Sequence, residues 1–395
     1  MNKTTLLLLS AISILSACAA SKHGVRVPAD LDLVGYYHRE PLVWKADRFA
    51  PHVSFTDENG KEQWLFEAFL FIEANDGKRG LTMSVAPSGH SAAKESWQDQ
   101  LDLWLGPEGG VAELDKACTD AAERIGKPSR KRQVIITVPD AIMFEHFADK
   151  SSSTRYWGSV DGRELDFADV ADQLTALKWY IDKARAMFVS LKCKYLELGG
   201  FYVVSEDLPV AYGDTEKDSF NHQYKRWETI VPALSDYCHA KGEGLYWIPY
   251  HMAGGFKYWK RMGFDMAWMQ PNYYWDLKSP GRHPFDKTLE AIKEYRMGME
   301  LEFEYSLVTA QMQGGRKGPD GAGRLIFDSS DVPALKEQFR DYMRKFKDAG
   351  LYGIAPLALY SGSNALTQLA ESSDPEDEAL YLELCKFVVN NPLRH

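Results

Sequence analysis

The chain has 395 residues, of which 45% are hydrophobic and 13% aromatic, and its formal net charge at pH 7 is −10. A chain of this length and apolar content can bury a sizeable core. The acidic excess argues against nucleic acid as the main partner, because proteins that bind nucleic acids normally carry a basic face.

The first residues have the pattern of a bacterial export signal. Lys3 supplies a positive charge, residues 6–15 form an apolar run, and Leu15-Ser16-Ala17-Cys18 matches a lipobox. The run is too short to cross a bilayer, which favours a cleaved signal peptide over residues 1–17. We expect Cys18 to be lipidated and to anchor an exported lipoprotein at the outer membrane or cell surface, or at the periplasmic face. An uncleaved anchor or an ordinary signal peptide is the alternative.

Residues 18–30 are predicted to form a tether and residues 31–392 a single domain. No other run is long and apolar enough to span a membrane. The remaining cysteines show no CxxC pair and no metal-ligand spacing, which favours buried thiols. They are Cys118, Cys193, Cys238 and Cys385.

Eight apolar runs of strand character alternate with helical patterns along the domain. Helical spacing is clear over 167–191, 224–242, 285–297 and 331–350, with Asp166 as a possible N-cap and Gly242 and Gly350 near C-termini. Between the first two runs we expect a short non-helical hairpin or loop. This alternation predicts an α/β fold, a (β/α)8 TIM-type barrel, with an open doubly wound sheet as the alternative. The runs are LVGYYH from Leu33, WLFEAFLFIE from Trp64, QVIITVPD from Gln133, KYLELGGFYVV from Lys194, GLYWIPYH from Gly244, FDMAWMQPNYYW from Phe264, GMELEFEYSL from Gly298 and YGIAPLALYSG from Tyr352.

The seventh run places Glu300, Glu302 and Glu304 at alternate positions, with apolar or aromatic residues between them. Side chains alternate between the two faces of a strand, so the three carboxylates share one face. In a barrel the apolar face packs on helices and the glutamates point inward. Because unpaired buried carboxylates are costly, we expect Glu302 and Glu304 near the open mouth and Glu300 deeper, in a structural role. An exposed edge strand, with solvated glutamates, is the alternative.

The fourth run contains Glu197, and Glu206 follows it in a loop. Glycoside hydrolysis needs two carboxyl groups: one protonates the departing oxygen, and the other attacks or stabilises the anomeric carbon. Glutamates near strands four and seven resemble the pattern of retaining glycosidases with a barrel fold, where the strand-four glutamate is the acid/base and the strand-seven glutamate the nucleophile. That group usually has Asn before the first of these, whereas Ser205 precedes Glu206 and Leu196 precedes Glu197 here. Glu206 is the first candidate for the acid and Glu197 the second. Glu302 or Glu304 is the candidate nucleophile or base.

Other predicted strands end in amides, carboxylates and aromatic rings, the groups that hold hydroxyl-rich ligands. Their shared location at strand ends favours a substrate-binding role. The candidates are His38, Asp140, Tyr250, His251, Gln270, Asn272, Tyr273, Tyr274 and Trp275.

Five stretches resemble a bacterial domain-of-unknown-function family of exported, glycosidase-like TIM-barrel lipoproteins that is frequent in Bacteroidetes. The resemblance covers about Asp30 to Pro392 and implies a polysaccharide-related context without a settled reaction. The stretches are LVGYYHREPLVWKADRFAPHVSF, WLFEAFLFIE, LGGFYVVSED, WIPYHMAGG and GFDMAWMQPNYYW.

We therefore predict a glycoside hydrolase acting on a poly- or oligosaccharide without a cofactor. A non-catalytic, surface-anchored glycan-binding lipoprotein is the alternative. A metal-dependent hydrolase is suggested weakly by His38, His251 and His283, but no HxH or HExxH spacing occurs, and no metal ligand is predicted.

Overall fold

Eight parallel strands close into a barrel in the computed structural model, which describes residues 24–34, 43–72, 93–140, 156–208, 210, 212, 226–320, 323–362 and 364–394. Each strand pairs with the next one along the chain, and the first also pairs with the last. The predicted (β/α)8 barrel is confirmed, and closure excludes the open sheet. His38 and Cys18 lie outside the described residues. The strands are β1 (Asp30–Val34), β2 (Ala68–Phe71), β3 (Arg132–Val138), β4 (Leu196–Val203), β5 (Gly244–Trp247), β6 (Met266–Met269), β7 (Gly298–Glu302) and β8 (Leu357–Tyr360).

Helices surround the barrel, and none within the described ranges is long and apolar enough to cross a membrane. Among the residues that the structure describes, three short antiparallel hairpins pair Ser54–Thr56 with Glu62–Trp64, Tyr156–Val160 with Arg163–Asp166, and Gly318–Pro319 with Leu325–Phe327. The α-helices are α1 (Ala46–Val53), α2 (Lys94–Leu105), α3 (Gly110–Ile125), α4 (Val170–Leu191), α5 (Trp227–His239), α6 (Trp259–Met262), α7 (Phe285–Tyr295), α8 (Val332–Asp348), α9 (Ala365–Ala370) and α10 (Pro375–Val389).

Two local predictions were wrong. The segment before β2 contains a helix, α1, as well as the expected hairpin. Helix α4 is capped by Asp169, whose side chain accepts a hydrogen bond from the backbone N–H of Ala171 (2.8 Å), whereas Asp166 ends a hairpin strand. A carboxylate at this position satisfies one of the free N–H groups of the first turn.

The helix ends at Gly242 and Gly350 were predicted correctly. Each glycine has a positive φ angle: +80° at Gly242, three residues beyond its helix, and +71° at Gly350, two residues beyond its helix. The next residue then bonds back into the last turn: Glu243 N–H reaches Cys238 O (3.1 Å) and Leu351 N–H reaches Phe346 O (3.2 Å). This is the Schellman arrangement, which glycine adopts without steric cost.

Strand β7 is internal, which excludes the edge-strand alternative. It pairs with β6 on one side and β8 on the other. Met299 and Leu301 are buried on the helix-facing side, and Phe303 beyond the strand packs on Phe339 of α8 with ring centroids 4.8 Å apart. The glutamates between them therefore point into the barrel, as the alternation predicts.

The double glycine in β4 serves a close approach of two backbones. Gly200 has φ +152°, and a Cβ atom there would lie 2.2 Å from the carbonyl oxygen of Gly244 in β5. The register with β3 shifts at the same point, so the strand contains a bulge. Of the four cysteines after Cys18, three are buried free thiols, Cys118, Cys238 and Cys385, and Cys193 is partly exposed.

Candidate active site

Glu302 is the last residue of β7 and lies at the mouth formed by the C-terminal strand ends. Its carboxylate accepts three hydrogen bonds: Oε2 from the N–H of Asn272 (2.6 Å) and the hydroxyl of Tyr342 (2.9 Å), and Oε1 from the indole of Trp275 (3.3 Å). The side chain is only 3% exposed. Burial raises the pKa of Glu302 to about 7, although these three donors act in the opposite direction. The donors fix the carboxylate in a single orientation.

Glu300 lies deeper in the barrel on the same face of β7. It too is 3% exposed, and burial, together with the charges of Glu302 and Glu206, raises its pKa well above the usual value. No residue in the described ranges donates a hydrogen bond to its carboxyl group, whereas Glu302 has three donors. Donors stabilise the ionised form of a carboxyl group. Of this pair, Glu300 therefore holds its proton more strongly than Glu302, which agrees with the expected structural role of Glu300.

Glu206 follows the end of β4 and faces the same mouth. The side-chain amide of Gln270 donates to its Oε1 (3.1 Å), and its backbone oxygen accepts from the N–H of Tyr250 (3.1 Å). Burial raises the pKa of Glu206. Its charge in turn raises the pKa of Glu302, so the two carboxyl groups lie within electrostatic range of each other.

One short segment after β6 contacts both carboxyl groups. Gln270 binds Glu206 through its side chain, and Asn272 binds Glu302 through its backbone N–H. Asn272 has φ +54°, a left-handed conformation that asparagine adopts more readily than most residues. Its side-chain Nδ2 is buried and has no partner among the residues that the structure describes. The segment Gln270–Asn272 therefore connects the two sides of the site.

A hydrogen-bonded chain of three residues, Asp276–His283–Tyr250, reaches the same mouth. Asp276 accepts from the backbone N–H of His283 (2.6 Å) and contacts its Nδ1 (2.8 Å), and Nε2 of His283 contacts the hydroxyl of Tyr250 (2.8 Å). A carboxylate beside Nδ1 selects the tautomer with a proton there. Nε2 is then an acceptor, and the hydroxyl of Tyr250 donates to it. The lone pairs of Tyr250 are left for a ligand.

The hydroxyl of Tyr250 is close enough to both candidate carboxyl groups for their charges to affect its pKa. Burial raises its pKa, and the charges of Glu302 and Glu206 contribute in the same direction. The neighbouring His251 contacts the hydroxyl of Thr288 through Nδ1 (3.0 Å) and packs edge-on against His283. Burial lowers the pKa of His251 to about 4, so this imidazole is neutral at pH 7.

The structure contradicts the catalytic prediction for Glu197. This residue lies near the N-terminal start of β4, at the opposite end of the barrel from Glu206. It is exposed and forms an ion pair with Arg26 (2.9 Å). Its carboxylate therefore lies at the N-terminal face of the barrel, as expected for a residue at the start of a strand.

Glu304 lies beyond β7 and contacts the end of β8. Its Oε1 accepts from the hydroxyl of Tyr360 (3.2 Å), and a Cβ atom at Gly362 would lie 2.2 Å from its Oε2. Burial raises the pKa of Glu304 to about 7. Of the two outer glutamates, Glu302 is the one in electrostatic contact with Glu206.

Three predicted binding residues face away from the mouth. Tyr273 stacks on Phe285 of α7 and donates its hydroxyl to Asp341 of α8 (2.7 Å), in the helix layer. Tyr274 is fully buried with its hydroxyl bonded to Ser306 (2.7 Å), so it cannot touch a ligand.

Asp140 also turns toward the helices. It accepts from the hydroxyl of Ser205 (2.6 Å) and lines a cavity of about 10 Å³ that Leu177 of α4 and Trp227 of α5 enclose. Burial raises the pKa of Asp140 to about 7, and its Oδ1 has no partner within the described ranges. The predicted residues that the structure brings together are Glu206, Glu302, Tyr250, Gln270, Asn272 and Trp275, with His251 beside them.

Sequence reasoning missed Tyr342 and Asp276. Tyr342 is fully buried in the middle of α8, and its spacing there is that of an ordinary core residue. Asp276 has a weak signal, since it lies in the same polar loop as His283, seven residues earlier. Within the described part of the chain, no three His, Cys, Asp or Glu side chains form a group that could hold a metal ion.

The protein is a closed (β/α)8 barrel in which Glu206, just after β4, and Glu302, at the end of β7, lie at the C-terminal strand ends. The chain belongs to the family described as "Domain of unknown function (DUF4855)", whose model matches residues 33–314. No curated protein matches the sequence. A crystal structure described as "a putative alpha-L-fucosidase from Bacteroides thetaiotaomicron VPI-5482" aligns with 99% of this chain and 100% of that chain, at 14% identity and a TM-score of 0.43.

Proposed function

We propose that this protein is a glycoside hydrolase that acts on a poly- or oligosaccharide through Glu206 and Glu302. The observation that carries the proposal is the different environment of these two glutamates at one mouth. Burial raises the pKa of both glutamates, so the contrast between them lies in their donors. Glu206 has a single amide donor, which suits a group that must deliver a proton. Glu302 has three donors that stabilise its ionised form. Hydrolysis of a glycosidic bond needs one carboxyl group of each kind.

In this mechanism Glu206 protonates the oxygen of the departing sugar. Glu302 acts on the anomeric carbon, directly or through a water molecule. Trp275 is half-buried beside Glu302 and offers an indole face for the apolar C–H surface of a sugar ring. Tyr250 is suited to a sugar hydroxyl group, since its phenol oxygen offers lone pairs.

We also propose that the protein is exported, that residues 1–17 are removed and that Cys18 carries the lipid anchor. The lipobox pattern supports this proposal. Mass spectrometry of the protein isolated from membranes tests it, because a lipidated N-terminal Cys18 has a distinctive mass. An N-terminus at any other residue contradicts it.

The enzymatic proposal is tested by incubating the purified protein with a broad glycan panel and measuring released reducing ends. Glu302→Gln should lower turnover about a thousandfold or more, because a neutral amide cannot act as nucleophile or base. Glu206→Gln should lower turnover of natural glycans by about 10²–10⁴-fold but spare aryl glycosides whose leaving group needs no proton. Glu197→Gln is the matched control and should stay within about twofold.

Each result separates the enzyme from its alternative. If the wild type releases no product, and glycans still bind to variants lacking both carboxylates, the protein is a glycan-binding lipoprotein. If Glu197→Gln is as damaging as Glu302→Gln, the assigned mouth is wrong.

A further inference from the structure

A large cavity lies at the opposite end of the barrel from the glutamate pair. Its volume is about 640 Å³, and residues just before β1, β2, β3, β6, β7 and β8 line it. Because all eight strands run in the same direction, this is the N-terminal face of the barrel. The chemistry of barrels of this kind is found at the other face, so the proposed hydrolase activity does not account for this cavity.

The lining of the cavity is cationic although the chain is acidic overall. Six Arg and Lys side chains and two carboxylates contribute to it. The carboxylates are engaged by the protein itself: Asp265 contacts His239 (2.8 Å) and Glu67 accepts from the N–H of Ala29 (3.2 Å). Three of the cations are exposed and have no ion-pair partner within the described ranges. They are Arg130, Lys293 and Arg296.

The wall between these charges is apolar. Met266, Ile292, Met297 and Leu351 form part of it and are otherwise buried. Ile354 lines the same cavity with 72% of its surface exposed. An apolar wall bordered by cations fits a molecule with a hydrocarbon part and an anionic head, which is the chemistry of an anionic phospholipid.

The N-terminal tether leads to this face. Arg26 to Ala29 line the cavity immediately before β1, and Cys18 precedes Arg26 by eight residues. Eight residues span at most about 26–29 Å when fully extended. An acyl chain on Cys18 would therefore be attached at the end of the barrel that carries the N-terminal face.

We propose that the N-terminal face of the barrel docks on an anionic phospholipid membrane. The headgroup phosphates contact Arg130, Lys293 and Arg296, and the adjoining acyl methylenes contact the apolar wall and Ile354. The mouth with Glu206 then points away from the membrane. This inference rests in part on the proposed lipidation of Cys18, but not on the hydrolase proposal, because it concerns the other end of the barrel.

The test uses the mature chain from residue 18 with Cys18→Ser, so that no acyl chain contributes to binding. Co-sedimentation is measured with vesicles of phosphatidylcholine alone and of phosphatidylcholine mixed with phosphatidylglycerol. We expect binding to the anionic vesicles only, weakened by added salt. Lys293→Glu/Arg296→Glu should reduce that binding by about tenfold or more, since each basic residue near an anionic surface adds to the attraction.

The control pair, Lys183→Glu/Lys287→Glu, makes the same change in net charge at exposed lysines outside the cavity. It should stay within about twofold of the parent chain. Ile354→Asp should weaken binding as well, because it places a carboxylate at the apolar rim. Circular dichroism confirms that each variant is folded.

Three results would overturn the proposal. One is equal binding to both kinds of vesicle, and another is an equal loss of binding in the control pair. The third is that the parent chain does not bind vesicles at all. If inorganic phosphate then binds to the parent chain but not to Lys293→Glu/Arg296→Glu, the cavity is a site for a soluble anion.

Discussion

The division of charge between Glu300 and Glu302 gives the sharpest prediction, through Glu300→Gln. The folded state raises the pKa of Glu300 well above its ordinary value of 4.5, so the native protein keeps a proton that the unfolded chain releases. Wild-type stability is therefore favoured at low pH and falls as pH rises above about 5, by about 1.4 kcal/mol per pH unit for this one group. Glutamine has the shape of the protonated acid and no titration. Relative to wild type, the variant should gain stability steadily as the pH rises from 5 to 7, by at most about 1.4 kcal/mol per pH unit.

Urea unfolding at pH 5, 6 and 7 and constant ionic strength measures this gain. The constant cost of the new amide cancels, because only the change of the difference with pH is compared. Glu123→Gln, at an exposed position, is the control and should show no such trend. Glu300→Gln should also retain most glycan turnover, unlike Glu302→Gln. A flat difference, or a wild type that gains on the variant toward pH 7, would show that Glu300 is ionised and refute the assignment.

Three further predictions concern the groups that hold the site. Tyr342→Phe removes one donor to Glu302, so the acidic limb of the kcat profile should move to higher pH; an unchanged limb would contradict this. His283→Gln removes the imidazole that holds the hydroxyl of Tyr250. It should lower kcat/KM by about tenfold without loss of fold, and unchanged kinetics would contradict this. Gly362→Ala places a methyl group against the buried carboxyl group of Glu304 and should lower Tm by more than Gly314→Ala does. Gly314 also has a positive φ angle but has open space around it, so equal losses of Tm would show that backbone strain alone is responsible.

The barrel could be predicted because buried parallel strands are short apolar runs separated by helices, a pattern local to the sequence. Glu302 could be predicted for the same reason, since alternation fixes its face and its place at the end of β7 fixes its depth. Glu197 was misassigned despite a usable signal: it stands at the start of its run, where a barrel strand enters from the N-terminal face.

The tyrosines after β6 show that neighbouring positions in the sequence do not predict which way the side chains point. Tyr273 and Tyr274 begin a 3₁₀-helix that ends at Lys278, so neighbouring side chains point in different directions instead of sharing the strand-end surface. Tyr342 reaches Glu302 across 40 positions of sequence, and its helical spacing marks it only as core. Contacts of that separation depend on how α8 packs on the barrel, which no local pattern encodes.

The segment Gln270–Asn272 has an evolutionary consequence. Pro271 lies between the two residues that hold the carboxyl groups, and its ring restricts the φ angle of this short connection. The environments of the two carboxyl groups are thus coupled through a single tripeptide. Under the proposed function, a substitution in this loop would change the hydrogen bonding of the acid and of its partner carboxylate together, while the barrel stays the same.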